Sequence, residues 1–294
     1  MELRDIRSQM IIATKYTNIP ERIRGVPLAK QKVNWVGHNI KSMKVNLDIS
    51  LKRLRTDYID IYYVHAWDLH TSVEEIMDGL HNMVVAGKIL YLDISNAPVW
   101  FVVKVNDYAR AHGKTPFAVY QAPYSILKRD IEREILPMWM ALTLYFVLAA
   151  GHIRTTAEKE QRGAGGEQGR QGLFFGSWER PPEEVKVCDA LEALATEMGV
   201  KSITSIAIAY VLHKAPYMFS IIGGRKVEHL LSNMEALDIS LSKEQMEYLD
   251  SLQPFDKRYS LNVLVSCLCV ETFVSIVNSG WLSCRAILKD ILDR

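Results

Sequence analysis

Four successive strand-like runs each end in a polar residue able to do chemistry or to read an amide: IIATK in Lys15, IYYVH in His65, LYLDIS in Ser95 with Asn96 beside it, and FAVYQ in Gln121. When strands alternate with helices they lie buried in a parallel sheet, and their C-terminal ends collect at one mouth. The repetition predicts a single pocket assembled from segments far apart in the chain.

The intervening helices are equally legible. Ile40, Met43, Leu47, Leu51 and Leu54 recur at three- and four-residue spacing, which predicts an amphipathic helix over about 37–55. SVEEIMDGLHNMVVAG reads as a helix closed by Gly87, and another runs from Pro98 to His112. A shorter helix is expected near 129–138, then a buried strand within the apolar run 140–150. Helices near 182–198 and 202–214 follow, then the strand MFSII, a helix at 226–237 and a last helix, SKEQMEYLDSL, with Ser242 as its N-cap.

Repeated strand–helix units leave two architectures, a doubly wound sheet or a closed barrel. The polar residues recur at four strand ends instead of one switch point, and no G-x-G-x-x-G follows the first strand. The expected fold is therefore α/β, a (β/α)8 TIM barrel. With six strands in view, where a closed barrel has eight, it is incomplete, one β-α-β unit being absent. The barrel is expected to span residues 1–256, interrupted by a Gly-rich, charged loop at 151–177, with an apolar tail at 257–294. That tail, interrupted by Glu271, is short for a membrane span.

Thirty-five basic against 34 acidic residues leave no bulk field for nucleic acid or an acidic membrane, so a small-molecule partner is expected. MELRDIRSQM lacks the pattern of a secretory signal, which suggests the cytosol. Cys267 and Cys269 form a C-x-C pair without a second pair or a nearby histidine, so buried thiols are expected and no metal site.

The stretches IIATKYT, SLKRLRTDYIDIYYVHAWD, GKILYLDISNAPVW, ARAHGKTPFAVYQ, SITSIAIAYV and IIGGRKVEHLLSNMEAL, in this order, resemble the aldo-keto reductases, and among them the fungal aryl-alcohol dehydrogenase branch that includes norsolorinic acid reductases. The resemblance runs from about residue 2 to 256 and is weak between 138 and 178. It implies a barrel enzyme that reduces carbonyls with NADPH, here an aromatic aldehyde or ketone, with a polyketide ketone of mycotoxin biosynthesis as one specific candidate. It implies Lys15 as the catalytic lysine and His65 as the histidine that orients the substrate carbonyl. Ser95, Asn96 and Gln121 are implied to clamp the nicotinamide carboxamide, a group with one acceptor and two donors. Tyr145 is implied to stack on the nicotinamide ring. Gly224, Arg225, Lys226, Glu228 and Asn233 are implied to hold the adenosine and its 2′-phosphate at a helix N-terminus.

The family begins with a strand, a helix and a second strand that delivers an aspartate and an acid tyrosine in a motif like D-T-A-x-x-Y; nothing like it stands before Lys15, so the resemblance implies that the first β-α-β unit is the one missing. His65, with an ordinary pKa of about 6.5, is a substitute acid. Tyr16 is a poorer one, because alternation along a strand turns it away from Lys15. The alternative reading is a catalytically impaired protein that binds nucleotide or a partner.

Overall fold

The structure is a computed structural model and describes residues 6–17, 36–66, 68, 70–138, 141–158, 160, 179–224 and 226–255. Six strands form one parallel sheet in sequence order: β1 (Ala13–Tyr16), β2 (Ile59–His65), β3 (Ile89–Ser95), β4 (Phe117–Pro123), β5 (Ala141–Tyr145) and β6 (Met218–Ser220). Among the described residues the outer edges of β1 and β6 pair with no further strand, and these six strands do not close a barrel. The chain divides into Met1–Gln253 and Pro254–Arg294. The expected tail at 257–294 and most of the expected loop at 151–177 lie outside the described residues.

Seven α-helices are described: α1 (Ile40–Leu54), α2 (Val73–Val85), α3 (Val99–Ala111), α4 (Pro182–Glu197), α5 (Ile203–His213), α6 (Val227–Met234) and α7 (Lys243–Leu252). Their ends follow local chemistry. Asn39, Ser72 and Ser242 accept from backbone N–H groups of the first turns of α1, α2 and α7, and Ser242 with Gln245 forms a full capping box. The helix expected near 129–138 is absent. Two 3-10 turns, Asp130–Glu132 and Leu136–Met138, stand there instead. Pro137 denies the segment a helical N–H, and the Arg129 side chain pairs within the first turn with Glu132.

The strand pleat sorts the residues into two faces. Tyr62, Val64, Leu92, Ile94, Tyr120, Ala122, Leu142 and Leu144 point outward and are all sealed under the helices. Met43 and Leu47 of α1, Ile76, Met77 and Leu80 of α2, and Phe101, Val102 and Val105 of α3 belong to the same core. Burying each such side chain contributes about 1.5–3 kcal/mol. Gly79 permits the close approach of α1 and α2, since a Cβ there would meet Met43 and Ile40 at 3.2–3.3 Å.

The other face is concave. The Lys15 ammonium of β1 donates to Gln121 Oε1 of β4, and the Tyr63 hydroxyl of β2 lies 3.2 Å from Thr143 Oγ1 of β5. Each contact crosses three strand spacings, about 14 Å in a flat sheet. Side chains of this length meet only because the sheet curls into the arc of a barrel.

Candidate active site

The register brings the strand-end residues into rows on the concave face. His65, Ser95, Gln121 and Thr143 are successive cross-strand partners, and one pleat below them Lys15, Tyr63 and Asp93 form a second row. Tyr145, two residues beyond Thr143, stands one pleat above. Lys15, His65, Ser95, Gln121 and Tyr145, expected from sequence, therefore share one face of one sheet. Tyr16 does not. It stacks on Tyr62 on the outer face with ring centroids 5.2 Å apart, and burial drives its pKa well up, so it is no substitute acid.

Lys15 also sits over the Tyr63 ring, 4.9 Å from its centroid. Desolvation in the concave face lowers its pKa, and Asp93, whenever it is ionised, opposes that shift. His65 is half-buried, and both burial and the Lys15 charge lower its pKa. A neutral imidazole is the result, able to donate a hydrogen bond to a carbonyl oxygen but poorly able to give up a whole proton. This electrostatic setting opposes the expectation that His65 replaces the acid.

Gln121 is nearly sealed and both ends of its amide are engaged, Oε1 by Lys15 and Nε2 by Thr143 Oγ1 at 3.1 Å. Ser95 is buried with its Oγ unpaired among the described residues. Asn96 follows it in the left-handed region with φ 54°, exposed, and its Oδ1 accepts from the Tyr145 hydroxyl at 3.1 Å. An orphaned hydroxyl, an exposed amide and an aromatic ring thus lie together at the mouth, a donor set that fits a carboxamide-bearing ring.

The loop beyond His65 is held by an anion. Asp68 accepts the N–H groups of His38, His70 and Thr71 and the Thr71 hydroxyl. Burial opposes its charge, yet these bonds keep its carboxyl well below the usual range. The His65 N–H is bonded in turn to Thr17 Oγ1 at 3.3 Å, which ties the end of β2 to the end of β1.

A second feature lies after β6. A cleft of about 360 Å³ is lined by Ile222, Gly223, Gly224, Lys226, Val227, Leu230 and Asn233, at the N-terminus of α6. Lys226 is the N-cap residue of α6, makes no side-chain cap, and lines the cleft with Val227 of the first turn, which sets a cation beside the positive end of the helix. Gly224 is required there, because a Cβ would lie 2.8 Å from His229 Cβ. Asn233 is buried, Glu228 is exposed, and Arg225 lies outside the described residues. Apolar walls, glycine backbone and a positive helix end suit a phosphorylated nucleoside.

Tyr63, Asp93 and Thr143 complete the concave face without having been singled out by the sequence. Alternation alone could have found the first two, each lying two residues before a strand-end residue already marked. Thr143 is hidden in an apolar run whose strand register only pairing reveals. Among the described residues no cluster of His, Cys, Asp or Glu could hold a metal, and no helix is long and apolar enough to cross a membrane.

The aldo/keto reductase family model matches residues 2–254. An aryl-alcohol dehydrogenase [NADP(+)] of Phanerodontia chrysosporium is 52% identical over 263 residues, 88% of this chain and 68% of that protein. Norsolorinic acid reductase A of Aspergillus parasiticus is 42% identical over 273 residues, 90% of this chain and 65% of that protein. Norsolorinic acid reductase B of Dothistroma septosporum is 42% identical over 260 residues, 87% of this chain and 64% of that protein.

Proposed function

Because the chain belongs to the aldo/keto reductase family, we propose that it interconverts an aromatic aldehyde or ketone and the corresponding alcohol with NADP(H). The observation that carries this reading is the convergence of Lys15, His65, Ser95 and Gln121 on one concave face. Similarity to an NADP(+)-dependent aryl-alcohol dehydrogenase supports the cofactor, and similarity to norsolorinic acid reductases supports a polycyclic aromatic ketone as a specific substrate.

Gly224, Lys226 and Asn233 would hold the adenosine end, with Arg225 and Glu228 beside them in sequence, and Ser95, Asn96, Gln121 and Tyr145 the nicotinamide end. The bound cofactor supplies the hydride equivalent. The chain's own residues then have three tasks. The Lys15 ammonium offers positive charge to an oxygen that becomes negative as hydride arrives. The neutral His65 ring donates a hydrogen bond that orients the same oxygen. Ser95 and Gln121 fix the carboxamide so that one ring face is presented.

Binding and turnover test these roles separately. NADPH should quench the protein's tryptophan fluorescence on binding, and the protein should oxidise NADPH in the presence of 3,4-dimethoxybenzaldehyde. Lys15→Met should retain binding and lose turnover by at least ~100-fold. Lys226→Glu should weaken NADPH by ~10–100-fold with little effect on NADH, the loss expected for a charged phosphate contact. Tight NADPH binding with no turnover of aromatic aldehydes or anthraquinone ketones would leave only a nucleotide-binding protein.

A further inference from the structure

Asp93 has no task in the reading above. It sits within β3 with no exposed surface, and neither carboxylate oxygen has a partner at ordinary hydrogen-bond geometry. A bare carboxylate is costly in such a place, and the neutral acid far less so. Its cross-strand neighbours are Tyr63 on β2 and Val119 on β4. Among the described residues the titratable groups acting on it from the concave face are Lys15 of β1 and Tyr63 of β2, while Tyr120 of β4 feels its charge from the opposite face of the sheet.

The Tyr63 hydroxyl is turned toward Asp93 and at the same time pairs with Thr143 Oγ1 at 3.2 Å. Tyr63 is almost wholly buried, whereas Thr143 is half-buried and stands in the row of His65, Ser95 and Gln121. Two hydroxyls therefore lead from a sealed carboxyl at the floor of the concave face to its accessible row.

We propose that Asp93 is the proton store of this site, resupplying through Tyr63 and Thr143 the proton taken up by the substrate's carbonyl oxygen. The inference rests on the carbonyl-reductase reading. Reduction adds a hydride to the carbonyl carbon, furnished by the nicotinamide cofactor, and a proton to the oxygen. That proton leaves Thr143 Oγ1 and is replaced by the Tyr63 hydroxyl proton, which is replaced by the Asp93 carboxyl proton. Three O–H bonds break and three form, leaving alcohol and an Asp93 carboxylate. The Lys15 ammonium stabilises that carboxylate until water returns its proton, and alcohol oxidation runs the same chain in reverse. Burial raises the Asp93 pKa to about 7 against the opposing pull of Tyr63, the Ile94 N–H and Lys15, which suits a group that must both hold and release a proton near neutrality.

Two measurements on the full chain test this store. Infrared difference spectra should show a protonated-carboxyl band in mildly acidic buffer that fades through about pH 7 and is missing in Asp93→Asn. In steady-state reduction of 3,4-dimethoxybenzaldehyde, kcat should fall with rising pH through the same range. Asp93→Asn and Tyr63→Phe should each flatten that limb and lower kcat by ~100-fold, with NADPH affinity unchanged. Asp93→Glu should restore part of the limb, which a merely structural role would not. Tyr63→Phe keeps the test open should Asp93→Asn fold poorly. A missing band, or wild-type kcat and pH profile in both variants, overturns the proposal. A band with the expected titration but no turnover by the wild-type chain with any aromatic carbonyl fails the reductase reading and ends the store's catalytic role with it.

Discussion

Ser95, Gln121 and Asp93 stand on the same face of adjoining strands, yet their environments differ sharply. Gln121 is satisfied at both ends, Ser95 Oγ is orphaned, and Asp93 is a carboxyl whose pKa burial raises to about 7. An aspartate whose folded pKa is raised from 3.8 to about 7 binds its proton more tightly in the folded state. Stability is therefore highest below the unfolded value and is lost as pH rises toward about 7, after which the penalty is constant. The size of the penalty is about 4 kcal/mol at most. Urea unfolding of Asp93→Asn should lack this decline, so the variant should gain on wild type in mildly alkaline buffer and not in acid. Parallel pH dependences for the two proteins would contradict the raised pKa.

The helix α3 shows how an element is positioned by more than its apolar stripe. Phe101, Val102, Val105 and Ala109 bury one side of it, but its alignment along β4 is set by Asn106. The Asn106 Oδ1 accepts the Phe117 N–H at 2.8 Å, and its Nδ2 donates to the Phe117 carbonyl at 3.3 Å, both buried. This closes the first residue of β4, the strand that carries Gln121. Asn106→Ala should cost about 2–4 kcal/mol, since it leaves two buried backbone groups unpaired. A thermal or urea midpoint unchanged from wild type would show that water replaces the amide. The segment 129–138 teaches the opposite lesson. Its apolar spacing reads as a helix, but the guanidinium of Arg129 binds Glu132 within one turn and also reaches the carbonyls of Asp250 and Gln253 near the end of α7, and two 3-10 turns result.

At the scale of the whole molecule, that same arginine joins the segment after β4 to the end of α7. Glu132, Asp250 and Lys214 complete a shielded network, with the Tyr124 and Tyr210 hydroxyls donating to its carboxylates. Arg129→Ala should destabilise the fold by about 3 kcal/mol, because it strands a shielded Glu132 with fewer partners. The loss should persist in high salt, which would relieve it if the network were merely a surface one. The periodicities of sequence settled the order of the six strands and of every described helix except the one expected near 129–138, because period two and period 3.6 are local properties of the chain. They also marked Lys15, His65, Ser95 and Gln121, since each ends a run that reads as a strand. Sequence could not reveal that Tyr63 meets Thr143, that Lys15 is bound by Gln121, or that Asp93 is sealed beneath them. Those contacts join strands three apart or depend on what covers a side chain. Only the curl of the sheet brings such residues together, and only burial turns an ordinary aspartate into a group that keeps its proton near neutral pH.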